Sequence, residues 1–89
     1  MTRQTVEWIL KERHAKKGKE GFAVPEDEVA TLLLGGEALH ALPGVVRFLL
    51  GADVIVVSTR KRATTYVEYD ALRALTFEPK ELADRRTGF

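Results

Sequence analysis

Residues 45–78 read VVRFLLGADVIVVSTRKRATTYVEYDALRALTFE, and the pattern of apolar residues in this stretch decides the fold class. In an extended segment side chains alternate between two faces. Val46, Phe48 and Leu50 would then share one face, and Val45, Arg47 and Leu49 the other. Gly51-Ala52-Asp53 suits a three-residue hairpin loop. Residues 54–57 are apolar on both faces, the mark of a central strand covered on both sides. Residues 64–69 alternate and are rich in β-branched and aromatic side chains, which fit a pleated surface. Asp70 reads as the start of a turn, and 72–78 as a fourth strand.

Upstream of the meander the sequence predicts helices. Residues 3–17 carry Val6, Ile9 and Leu10 on one stripe, with Thr2 placed to N-cap and Gly18 to take the left-handed cap. Trp8 lies off the stripe and is expected at the edge of the core. Pro25-Glu26-Asp27-Glu28 reads as a second helix start, proline first and acids in the first turn. Val29, Leu32 and Leu33 would be its buried stripe, and Gly35-Gly36 its end. Residues 37–42 could add a helical turn before a Pro43-Gly44 reverse turn.

The expectation is therefore one α+β domain over residues 1–89. It has a helical part at 1–42, a β-meander at 43–78 and a short helical tail at 79–89. An antiparallel sheet of about four strands would carry the two N-terminal helices packed on one face. Val29, Leu33, Phe48, Ile55, Val56 and Val67 are the predicted core.

Composition narrows the function classes. With 45% hydrophobic and 30% charged residues the chain is of folded, water-soluble type. It has no cysteine, which excludes disulfides, thiol catalysis and cysteine metal sites. No apolar run reaches the ~18 residues of a membrane span, and no secretory core is visible, so the cytoplasm is the expected compartment. Asparagine is absent, and Gln4 and Met1 are the only glutamine and methionine, a composition of the kind heat-adapted proteins show.

The net charge of +1 conceals an uneven distribution. Residues 1–24 hold six Lys/Arg against three acids, and residues 25–58 hold Arg47 alone against five. Residues 59–89 hold seven against five. Two clusters stand out: Lys16, Lys17 and Lys19, and the triplet Arg60-Lys61-Arg62 at the tip of the central connection. A turn is made more easily by glycine, asparagine or aspartate than by three adjacent cations, so the triplet is a candidate for contact with a nucleic-acid backbone. Tyr66 and Tyr69 are candidates to stack on bases.

Self-association is the competing expectation. It rests on Val45, Leu49, Ile55 and Val57, which would leave the second sheet face apolar and open to another protomer. No phosphate loop surrounds Gly35-Gly36, and no nucleophile elbow surrounds Ser58. His14 and His40 lack metal-ligand spacing. No catalytic residue, metal, cofactor or small-molecule substrate is expected.

Overall fold

In the computed structural model, which describes residues 1–87, the chain is mostly sheet. Helix α1 (Arg3–Glu12) leads into strands β1 (Lys16–Gly18), β2 (Gly21–Ala23), β3 (Glu28–Gly35) and β4 (Leu39–Leu50). Strands β5 (Val54–Thr59) and β6 (Thr64–Glu68) follow, then a single 3₁₀ turn (Tyr69–Ala71), β7 (Leu72–Pro79) and helix α2 (Lys80–Thr87). The seven strands form one antiparallel sheet, ordered β1-β2-β4-β3-β7, with β5 on the other edge of β4 and β6 beyond it. This corrects the expectation of four strands under two N-terminal helices: one helix lies near the N-terminus and the other at the C-terminus. The helical part expected at 1–42 is helical only over α1. Of the expected tail, residues 88–89 lie outside the described residues.

Residues 28–35 form a strand where a helix is expected, for a plain physical reason. An apolar run such as VATLLLG cannot be assigned to helix or strand from periodicity alone. What decides it is the partner on each side. Ala30 to Gly35 pair with β4, and Glu28 to Leu34 pair with β7, so β3 is a central strand and tertiary pairing overrides leucine's helical preference. Pro25 begins a turn closed by Glu28 N donating to Pro25 O at 2.9 Å, not a helix. The Asp27 carbonyl in that turn accepts from Lys80 N at 2.8 Å, which ties the turn to the start of α2. Gly35 and Gly36 lie at the β3–β4 hairpin, where Gly35 pairs with Leu39.

β4 is the strand on which the sheet is built. β3 and then β2 pair along one of its edges, and β5 pairs along the other. Two irregularities let one strand serve three partners. Opposite β3 the register steps from Ala30↔Val45 to Leu32↔Leu42, so β4 holds one extra residue at Pro43-Gly44, where Gly44 takes φ 72°. A proline is tolerated inside a sheet at such a bulge. Opposite β5 the register steps from Val45↔Thr59 to Arg47↔Ser58, which leaves Val46 as a second bulge. The second bulge breaks the simple alternation. Val45 and Phe48, expected on opposite faces, both point into the core at 0% exposure.

The core gathers Phe22, Phe48, Ile55, Val57, Val67 and Leu72 from the sheet beneath Val6 and Leu10 of α1. Val29, Phe48, Ile55 and Val67 are buried as expected, whereas Leu33 and Val56 are half-buried. Thr2 caps α1, its hydroxyl accepting from Thr5 N at 3.1 Å. The helix stops at Glu12, five residues short of the expectation's end at 17. His14 takes the left-handed position at φ 61°, with His14 N donating to Lys11 O at 3.0 Å and Ala15 N to Leu10 O at 2.9 Å. That bond pair is the usual left-handed helix stop, filled here by histidine and not by Gly18. The Met1 ammonium donates to Tyr69 O (2.7 Å) and Leu72 O (2.9 Å), joining the start of α1 to the 3₁₀ turn. Among the described residues no helix is long and apolar enough to cross a membrane.

Candidate nucleic-acid interface

The basic triplet closes the β5–β6 hairpin. Ser58 pairs with Thr64, and the loop between them is held by its own backbone. Thr59 N donates to Ala63 O and Arg62 N donates to Thr59 O, both at 2.9 Å. Ala63 N also donates to the Thr59 hydroxyl at 3.2 Å. Arg60 and Lys61 keep negative φ, while Arg62 sits at φ 65°. This is the three-residue hairpin loop whose last residue is left-handed, a place glycine fills without strain. An L-residue with a β-carbon there costs roughly 1–2 kcal/mol of steric energy.

The three cations are not equivalent. Arg60 is folded back: its guanidinium meets Asp84 of α2 at 2.8 Å, and its backbone N donates to Gly44 O at 2.9 Å. Arg60 thus fastens the tip to β4 and α2. Lys61 and Arg62 are exposed, and among the described residues neither has an ion-pair partner. The phosphate-binding candidate therefore contracts from three free charges to two.

Lys16, Lys17 and Lys19 belong to the β1–β2 hairpin and diverge. Lys17 pairs with Phe22 and sets its ammonium 5.8 Å from that ring's centre, at the core's margin. Lys19 is in the loop itself. Lys16 lies in a cross-strand row that crosses the sheet from edge to edge: Lys16↔Ala23, Ala23↔Arg47, Arg47↔Ser58 and Ser58↔Thr64. Residues directly opposite one another share a face. That face is the outer one, because the neighbouring row Phe22–Phe48–Val57 is buried. Of the three lysines, Lys16 thus shares a face with the base of the basic tip, and Arg47 lies between them. Arg47 escapes notice in the sequence because it is the sole cation of an acidic stretch; only register places it. Its ion pair with Glu20, 3.3 Å long, involves a carboxylate 81% exposed, so it contributes little stability.

The two tyrosines separate completely. Tyr66 is 70% exposed on the outer face. Tyr69, expected as a second stacking group, is buried and donates its hydroxyl to Gly51 O at 2.6 Å. Burial pushes its phenol above the ordinary value, against an opposing pull from Arg3.

The residues expected at a protomer interface are corrected in the same way. Val45, Ile55 and Val57 have 0% exposure within the protomer, so they have no surface to offer a second copy. The Val46 bulge turns Val45 inward, and the core under α1 takes Ile55 and Val57. Leu49 alone of the four remains available, at 44%. A second exposed apolar region, not expected from the sequence, lies between α1 and β7, where Trp8, Ile9, Leu75 and Phe77 line a groove. Trp8 is 64% exposed there, and Arg13 stacks 5.3 Å from the Phe77 ring centre while bonding Glu28 at 2.9 Å.

His14 serves the helix cap, and His40 is exposed opposite Leu34. Among the described residues no three His, Asp or Glu side chains converge in a way that could hold a metal ion. Comparison with protein families, with characterised proteins and with solved structures finds no match for this chain.

Proposed function

We propose that the protein is a non-enzymatic nucleic-acid-binding module that grips the phosphate backbone with its β5–β6 tip. The observation that carries this reading is Arg62 in the left-handed position beside exposed Lys61, at the end of a loop fixed by its own hydrogen bonds. A residue held in an unfavourable backbone region motivates a search for what its side chain does. Here the side chain is a guanidinium, which presents a planar fork of donors suited to phosphate. Arg60 supports the grip by fixing the tip to Gly44 and Asp84.

Binding of generic DNA should weaken linearly in log–log form as salt rises, because each neutralised phosphate releases counterion. The Lys61→Ala/Arg62→Ala variant should lower that slope by about 1.8, at about 0.9 per contact on B-DNA. Wild type that ignores both DNA and RNA at ~50 mM salt, where backbone binding is strong, overturns the reading.

A second reading, partner binding or homo-oligomer formation without a nucleic-acid role, is supported by the α1–β7 groove at Trp8, Leu75 and Phe77. Light scattering that finds a single-chain mass at high concentration counts against the homo-oligomer.

A further inference from the structure

We infer that the outer face of β4, β5 and β6 is a single-strand site, on which an unpaired base stacks on Tyr66 while the flanking row of cations holds the adjoining phosphates. The inference rests on the phosphate reading of the tip and extends it from backbone contact to strand type.

Register builds the face. Leu49 pairs with Val56, and Val56 with Tyr66, so these three form one cross-strand row. The parallel row, two residues along each strand and roughly 6–7 Å away, holds Arg47, Ser58 and Thr64, with Lys16 at its far end. Tyr66 and Leu49 are 70% and 44% exposed, and Val56 is half-buried between them. The surface therefore alternates an apolar strip ending in an aromatic ring with a strip carrying cations. The basic tip continues from Thr64, two residues past Arg62.

Chemistry selects the occupant. An aromatic ring on an open sheet can stack on a base only if the base has left its own stack, as in single strands, loops and ends. A duplex keeps its base faces stacked and offers such a ring only groove edges and backbone. The strip of hydroxyls and cations beside the ring matches the other half of a nucleotide, its sugar and phosphate. Arg47 is free to serve, since its present partner Glu20 is exposed and contributes little. Stacking is open to any base, because every base has a π-face, so the ring itself would bind the strand with little sequence preference.

The test uses the full chain, a labelled oligothymidylate, a labelled oligouridylate and a labelled duplex, followed by fluorescence anisotropy. Tyr66→Thr removes the ring but keeps a β-branched residue suited to the strand, and Tyr66→Phe keeps the ring. Tyr66→Thr should weaken binding of the single strands about tenfold or more while leaving the duplex within about twofold, and Tyr66→Phe should restore it. The Lys61→Ala/Arg62→Ala variant should weaken all three probes. If Tyr66→Thr leaves the single strands unchanged, or weakens the duplex equally, while the tip variant still acts, the stacking site is wrong and the tip reading stands. The stacking site is equally wrong if Tyr66→Phe fails to restore binding, or if Tyr66→Thr changes the solution mass of the protein. Wild type that binds none of the probes removes both.

Discussion

The β1–β2 and β5–β6 hairpins solve one problem in two ways. Each needs a left-handed residue where its loop rejoins the strand. Gly21, at φ 100°, fills that place in the first, and Arg62, at φ 65°, in the second. The glycine is forced by packing: a β-carbon on Gly21 would fall 2.2 Å from the Phe48 carbonyl oxygen and 2.9 Å from the Leu49 Cα. No such crowding governs the second loop, whose tip is exposed. There glycine would be accommodated and would relieve the backbone, yet an arginine stands in the position. In the first hairpin the fold dictates the residue; in the second the residue works against local backbone preference. That contrast is what supports the proposed role of the second tip.

The packing side of the comparison can be broken from either partner. Phe48→Ala should cost about 3–5 kcal/mol, through lost transfer energy and a residual cavity, and denaturant titration should find little folded protein left. Gly21→Ala should cost somewhat less, about 3 kcal/mol, because the short β1–β2 hairpin, with β1 as its outer strand, can shift away from β4 to relieve the clash. A Gly21→Ala protein as stable as wild type would mean that the first hairpin is not held against β4.

A smaller effect tests how the end of β6 is anchored. Tyr69→Phe removes the hydroxyl bond to Gly51 O and should cost about 1 kcal/mol. It should also alter the alkaline limb of stability. Burial makes the Tyr69 phenol titrate higher in the fold than the ordinary value of 10.0, so it favours the folded state at neutral pH. The unfolded chain loses that proton first, so this contribution is lost as pH rises past 10.0 and through the folded value. Denaturant midpoints of wild type should fall more steeply than those of Tyr69→Phe above that pH.

How much of this was legible in the sequence differs by region, for physical reasons. The strands of residues 45–78 follow from short apolar runs rich in β-branched residues between turn residues, and the Thr2 cap from a hydroxyl placed before an amphipathic run. β3 was not legible, because a leucine-rich run between turn residues fits helix and strand equally until its two neighbours are known. The facing of Val45 was not legible either, since one bulged residue at Val46 inverts the pattern that follows. For the candidate site, the triplet Arg60-Lys61-Arg62 was visible as a charge run, but its division into one tethered and two free cations depends on Asp84 of α2. Lys16 and Arg47, 31 residues apart in the chain, are brought to one face only by pairing through Ala23.

The smallest change in stability bears on the largest claim. Arg62→Gly should raise stability by about 0.5–1 kcal/mol, the steric relief being partly offset by the greater freedom of the unfolded chain. If Arg62 is there to hold a phosphate, the same substitution should weaken nucleic-acid binding and lower the log–log salt slope by about 0.9. Chemical denaturation and a salt series of anisotropy titrations, made on wild type and Arg62→Gly side by side, measure both. A variant that is more stable and binds less tightly, with the shallower slope, is the predicted result. A variant that is more stable and binds as tightly as wild type at every salt concentration would contradict the account.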